Sequence, residues 1–212
     1  ASNYLPEILV GAEVVSEPGR SRYEWRNQRS FAAIKSDGSV VSWGSVSTDG
    51  GEEVIRYVEE GPFKQIFSNR HSFAAIRADG KLITWGNGGR GGEKGRAKDD
   101  LQDGVKQVFS TRRSFSALKF DGSVISWGQD EEGGDNTLVA DQLSSGVVKL
   151  FSTGTSMAAL KSDGSVVTWG QPDWGGDSSA VADDLASGVI QVVEAGTAFA
   201  ALKSDGTVIV WG

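Results

Sequence analysis

Residues Met157-Ala-Ala-Leu-Lys-Ser-Asp-Gly-Ser-Val-Val-Thr-Trp-Gly170 read as two extended stretches flanking a two-residue Asp-Gly loop. Asp-Gly between apolar runs is a strong hairpin signal, because a type I′ turn needs positive φ at both central positions. The stretch recurs. Trp stands at 43, 85, 127, 169 and 211, each 42 residues after the last and each followed by Gly. Asp-Gly keeps the same phase at 37–38, 79–80, 121–122, 163–164 and 205–206. A fixed period of this size marks a solenoid, a propeller or an array.

Working outward, the first hairpin strand carries Ala33, Ala75, Ala117, Ala159 and Ala201, each followed by Ile or Leu. A small residue at one strand position in every unit points to crowding, as near a propeller axis. The second strand places Val41, Ile83, Ile125, Val167 or Ile209 two residues before the Trp. A third strand precedes the hairpin at Gln65–Ser68, Gln107–Ser110, Lys149–Ser152 and Gln191–Glu194. Its first copy is expected at Glu13–Ser16, which leaves an insertion ahead of Phe31. The other register puts it at Arg22–Trp25 with no insertion. The remainder of each unit is a Gly-rich loop and a segment such as Val181–Leu185, readable as a helical turn or a loop.

Composition agrees with an all-β chain. The 212 residues hold 29 Gly, 4 Pro and 38% hydrophobic residues, a profile of short strands and tight turns. There is no cysteine, which excludes disulfide frameworks, thiolate metal sites and Cys nucleophiles. No apolar run reaches the length of a membrane-spanning helix, and no signal segment opens the chain. Ala1 in place of Met is compatible with processing, so the compartment is left unassigned. The net charge of −7 argues against non-specific nucleic-acid binding. It is uneven: residues 1–120 carry 18 Lys/Arg against 15 Asp/Glu, and residues 121–212 carry 3 against 13.

The run His71-Ser-Phe-Ala-Ala-Ile76, then Asp79-Gly80, then Trp85-Gly86, resembles the repeat of the regulator of chromosome condensation family. It is also similar to the propeller-type β-lactamase inhibitory proteins of bacteria. The resemblance covers roughly residues 11–212 and implies a β-propeller. Three-stranded blades suit this unit. The expectation is one domain, 1–212, with five units near 11–44, 62–86, 104–128, 146–170 and 188–212. Five blades either close a small ring or form part of a larger one. The sequence departs from the family in the pair after the Trp-Gly loop, here Gly91-Gly92, Gly133-Gly134 or Gly175-Gly176, and in having a single inner-strand His, His71. The aromatic-Arg motifs of the plant ultraviolet photoreceptor are not matched, so photoreception is not carried over.

The phased Trp residues read as seam fillers between blades, and the Asp-Gly pairs as turn chemistry. The basic column Lys35, Arg77, Lys119, Lys161 and Lys203 reads as stems that pack while the heads reach solvent or the turn Asp, with an anion-binding ring as the other reading. The turn between the first two strands is irregular. It carries Arg70-His71 and Arg112-Arg113 in units 2 and 3, but Gly154-Thr155 and Gly196-Thr197 in units 4 and 5. With Arg20, Arg22, Tyr23, Trp25, Arg26 and Arg29 of the first unit, it makes a candidate partner-binding rim that suits an acidic protein surface. The acidic loops after Trp-Gly, Ser45–Glu53, Gln129–Asp135 and Gln171–Asp177, form a second candidate, and Trp174 within one is a candidate contact. EF-hand spacing is absent from them. One His supplies neither triads nor a zinc cage, and there is no nucleophile elbow or phosphate loop.

These features favour a non-catalytic protein-interaction module with no cofactor, metal, nucleic-acid partner or membrane insertion. Alternatives are a structural accessory subunit of a larger assembly and, by fold analogy alone, an exchange factor for a small GTPase.

Overall fold

The fold was described from a computed structural model over residue 27, residues 30–44, the strand at 56–58 and residues 61–212. The described residues form five three-stranded antiparallel sheets, the blades of an all-β propeller. Blade 1 contains β1 (Ser30–Ile34), β2 (Val40–Gly44) and β3 (Arg56–Val58). Blade 2 contains β4 (Phe63–Ser68), β5 (Ser72–Arg77) and β6 (Leu82–Gly86). Blade 3 contains β7 (Val105–Ser110), β8 (Ser114–Lys119) and β9 (Val124–Gly128). Blade 4 contains β10 (Val147–Ser152), β11 (Ser156–Lys161) and β12 (Val166–Gly170), and blade 5 contains β13 (Val189–Glu194), β14 (Phe199–Lys203) and β15 (Val208–Trp211).

Blades 2 to 5 have the expected strand order, each first strand pairing with the hairpin that follows. Blade 1 differs. Its third strand, β3, comes after the hairpin and pairs with β2. Both sequence placements of a preceding strand, Glu13–Ser16 and Arg22–Trp25, lie outside the described residues.

The hairpin loop also differs from expectation. In blade 3, β8 and β9 pair up to Leu118 and Val124, and Gly122 N–H donates to Lys119 O at 3.1 Å. The centre of the turn is therefore Phe120-Asp121, and Gly122 follows with φ +82°. This is the three-residue hairpin connection that places a positive-φ Gly after the turn, not a two-residue Asp-Gly loop. Asp121 Oδ1 accepts from the backbone N–H and the hydroxyl of Ser123, at 2.9 and 2.7 Å. Both bonds favour the charged carboxylate.

Alternation along each strand creates two apolar faces per blade. One face carries the Trp, the column Phe31, Phe73, Phe115, Met157, Phe199, and the small Ala. In blades 2 to 5 it meets the other face of the preceding blade. The buried apolar residues fall into four clusters, each joining two consecutive blades. Phe115 and Trp127 of blade 3, for example, pack with Ala74, Ile76 and Leu82 of blade 2. The described connecting segments complete the seams between blades 2 and 3, 3 and 4, and 4 and 5. They are 3-10 turns, plus one helical turn at Ala182–Leu185 (α1), and they bury Leu101, Leu143 and Leu185.

Candidate functional site

The first strands of successive blades adjoin, so β4, β7, β10 and β13 form the inner side of the stack. Ser110 Oγ of β7 donates to Ser68 O of β4 at 3.0 Å. The turns that follow these strands are linked blade to blade through their backbones. Arg70 N–H donates to Arg112 O, Arg112 N–H to Gly154 O, and Gly154 N–H to Gly196 O, at 3.3, 2.9 and 3.2 Å.

Three of these turns, in units 2 to 4, are also pinned to the loop after Trp-Gly in the same unit. Asn69 Oδ1 accepts from the N–H groups of His71 and Ser72, while its Nδ2 donates to Arg90 O at 2.8 Å. Thr111 Oγ1 accepts from the N–H groups of Arg113 and Ser114 and donates to Glu132 O at 2.9 Å. Thr153 does the same for Thr155, Ser156 and Trp174 O. One side chain thus caps the turn and ties it to the second loop. The two candidate surfaces that the sequence separates are one surface.

Its side chains interlock across units. Arg113 Nη1 lies 2.9 Å from Glu132 Oε1. The Arg112 guanidinium of blade 3 sits 5.1 Å from the centre of the Trp174 ring in the loop after blade 4, within range of a cation–π contact. The Arg90 guanidinium lies against the His71 ring, 3.3 Å from Nδ1. A cleft of about 450 Å³ opens between units 3 and 4, lined by Arg113, Gln129, Glu131, Glu132, Gln171 and Pro172. Glu132 Oε2 is buried without a hydrogen-bond partner, as is Oγ1 of Thr155. Thr155 adjoins the cleft, its carbonyl accepting from Gln171 N–H at 3.2 Å.

Four of the ten residues expected at the rim, Arg70, His71, Arg112 and Arg113, stand together on this surface. Arg20, Arg22, Tyr23, Trp25, Arg26 and Arg29 lie outside the described residues. The rim is not uniformly basic, because Glu132 neutralises Arg113 and Glu131 lines the same cleft. Trp174 is half-buried under Arg112 rather than projecting freely. The cap residues Asn69, Thr111 and Thr153 were missed in the sequence. Their signal was a small polar residue in one phase, one position before the irregular pair.

The basic column lies at the hairpin end of the blades, beside the Asp-Gly turns. Lys119, Lys161 and Lys203 donate through Nζ to Asp100 O, Gln142 O and Asp184 O of the preceding connections, at 3.0, 2.7 and 2.7 Å. Arg77 and Lys35 pair with their turn carboxylates, Asp79 and Asp37. These heads serve the fold. Beside the blade 3 loop, Arg96 of the preceding connection lies 2.8 Å from Asp135. Burial pushes the Asp135 carboxyl up, but its bonds to Thr137 and the Arg96 charge outweigh this and hold it below its usual value. Among the described residues, no three potential metal ligands come together.

No family model matches the sequence, and none of the curated proteins matches it. Solved structures do match in fold. Prp20p of Saccharomyces cerevisiae, studied for its binding to Gsp1p and histones, aligns with a TM-score of 0.51 at 16% identity, over 87% of this chain and 56% of its own. Yeast RCC1 (Prp20) bound to Kap60 aligns at 0.52 and 16%, over 87% and 54%. Human WBSCR16 gives 0.52 and 16%, over 88% and 60%. The chain spans little more than half the length of these proteins. Together with the five stacked sheets, these alignments identify the architecture as an RCC1-type propeller fold.

Proposed function

We propose that the chain is a non-catalytic protein-interaction module whose binding surface is the combined rim of first-strand turns and post-Trp loops on blades 2 to 4. The observation that supports this most is the Arg112–Trp174 stack beside the cleft. A flat aromatic, a guanidinium and a polar pocket form the residue set enriched at the energetic centres of interfaces. The surface is built by three blades and held by backbone bonds between them, so little is lost in ordering it when a partner lands.

The rim is cationic toward blade 2, through Arg70 and Arg90, and mixed toward blade 3. An acidic partner surface would meet the blade 2 side, and Arg20, Arg22, Tyr23, Trp25, Arg26 and Arg29 of the first unit belong to the same proposed footprint. A hydrogen-bond donor from the partner would enter the cleft toward Glu132. Partners of the fold relatives are not carried over, because a likeness of fold at 16% identity assigns no function.

Immobilised protein incubated with extract from the native source tests the reading. Proteins retained by the parent chain and by a Phe120→Asp control, altered at the hairpin end, should be lost from Arg112→Glu and Trp174→Ala. Equal retention by all four chains would overturn it.

A further inference from the structure

We infer that the cleft between units 3 and 4 receives a lysine side chain of the partner, with Glu132 as the group that binds its ammonium; the inference rests on the proposed binding surface and names the chemistry that enters it. The first observation is an uncompensated charge. Glu132 lines the cleft, and its side chain is only 12% exposed. Its Oε1 lies 2.9 Å from Arg113 Nη1, but its Oε2 is buried without a hydrogen-bond partner. A carboxylate oxygen removed from water and given no donor is costly, and folded chains keep few such groups. The lining as a whole is anionic. Glu131 adds a second carboxylate, and Arg113 is the one cation among the lining residues.

The second observation is that the fold does not require a carboxylate at this place. Arg90, Glu132 and Trp174 occupy one phase of the repeat. In each unit the carbonyl at this phase accepts from the cap side chain, Asn69, Thr111 or Thr153. The backbone site is thus the same three times, and it carries a guanidinium, a carboxylate and an indole in turn. Of the three, only unit 3 places an acid there, and with it the orphaned oxygen. The base under that acid is firmly held. Glu132 O accepts from the hydroxyls of Thr111 and Ser114 at 2.9 and 2.6 Å, and Glu132 N–H donates to Gln129 O at 3.1 Å. A charged group on so fixed a base is preorganised for a ligand.

Lysine suits the cleft better than arginine. Arg113 already occupies one carboxylate oxygen, so the two-pronged fork of a second guanidinium finds no matching pair. An ammonium is compact and needs one oxygen. The last torsion of a Glu side chain is soft, and a turn of the carboxylate brings Oε2 toward the cleft. Glu131 and the amides of Gln129 and Gln171 line the same space and hold acceptors for the remaining ammonium protons. The footprint is then bipolar, with partner acid on the blade 2 side and a partner lysine in the cleft, which fixes the direction of docking.

Zero-length carbodiimide coupling joins a carboxylate to an amine only where the two touch, so it tests the inference on the parent chain itself. Coupling in extract from the native source, followed by mass spectrometry of the linked peptides, should join Glu131 or Glu132 to one lysine of the retained partner. Glu132→Gln, with an unchanged melting curve, should hold the partner about tenfold or more weakly. Replacing the linked lysine of the partner by Met should weaken binding to the parent chain by the same factor and to Glu132→Gln no further. If Glu132→Gln melts early, the link and the lysine replacement decide alone. A partner that is lost from Trp174→Ala but held equally by the parent and Glu132→Gln, with no lysine linked at the cleft, overturns this inference and leaves the proposed surface standing. Equal retention by all three chains overturns the surface and the inference together.

Discussion

Trp127 donates its indole N–H to the carbonyl of Gly91, 3.1 Å away and 36 residues earlier in the chain. The bond crosses from blade 3 to the post-Trp loop of unit 2, and its equivalents join Trp169 to Gly133 and Trp211 to Gly175. In blades 3 to 5 the phased Trp is thus a seam filler with a polar tip that ties its blade to the loop of the preceding unit. Trp127→Ala is expected to cost about 3–5 kcal/mol, through lost packing and the cavity left in a site now 2% exposed. Trp127→Phe retains the ring stack with Phe115 but leaves Gly91 O without its donor, and should cost about 1–3 kcal/mol. Denaturant melts of both variants check the order.

The acceptor loop makes a sharper test of the seam. A Cβ on Gly91 would stand 2.5 Å from Phe115 Cδ2, whereas on Gly133 its nearest neighbour is Met157 Cγ at 3.4 Å. Both glycines have positive φ, +99° and +89°, so both alanine variants carry backbone strain of about 1–2 kcal/mol. Only Gly91→Ala adds a clash with a buried ring. It should therefore be the more destabilised of the two by thermal melting, and equal losses would show that the seam yields.

The regularity of the chain was legible because packing repeats with it. Trp-Gly and Asp-Gly keep phase since every seam and hairpin needs the same residue at the same place, and that was enough to give five blades and the strand order of blades 2 to 5. The phased Phe column opposite Trp was equally present in the sequence, but the expectations above assign it no role. Turn geometry was misread, because Asp-Gly fits both a two-residue loop and the second half of a three-residue one. The rim was half legible. Arg112 and Trp174 stand 62 residues apart, and no local pattern announces that the turn of unit 3 reaches the loop of unit 4. The cap residues that fuse the two loops vary between Asn69, Thr111 and Thr153, which hid their common role.

Acid sensitivity follows from the hairpins. The carboxyls of Asp37, Asp121 and Asp163 are held below their usual value chiefly by a serine hydroxyl and then by a backbone N–H. Those of Asp79 and Asp205 are lowered chiefly by backbone N–H groups. A folded-state value below the unfolded one means stability that is fully present above the unfolded carboxylate value, about pH 4, and lost as pH falls through the folded values. Urea midpoints should hold from neutral pH to about pH 5 and then drop. Asp121→Asn and Asp163→Asn together should be less stable at neutral pH and show a shallower drop, whereas an unchanged acid slope would remove the hairpins as its cause.

At the rim, packing and charge should separate experimentally once a partner is in hand. Trp174→Ala is expected to weaken binding by about 2 kcal/mol, roughly thirtyfold, with little effect on the melting temperature. Arg112→Glu should also slow association, and its deficit should shrink as salt is raised. Surface plasmon resonance at two ionic strengths reads both effects. A salt-independent loss for Arg112→Glu would assign the residue to packing against Trp174 alone.

Site-specific photocrosslinking tests the interaction surface most directly. A benzophenone side chain placed at Glu131 or Pro172, on the rim, and at Phe120 or Asp163, at the hairpin end, is irradiated in extract from the native source. Rim positions should yield a discrete adduct that excess parent protein competes away and excess Trp174→Ala protein does not, while the hairpin positions yield none. Competable adducts from Phe120 or Asp163, with none from Glu131 or Pro172, would place the partner on the opposite side of the propeller and contradict the account.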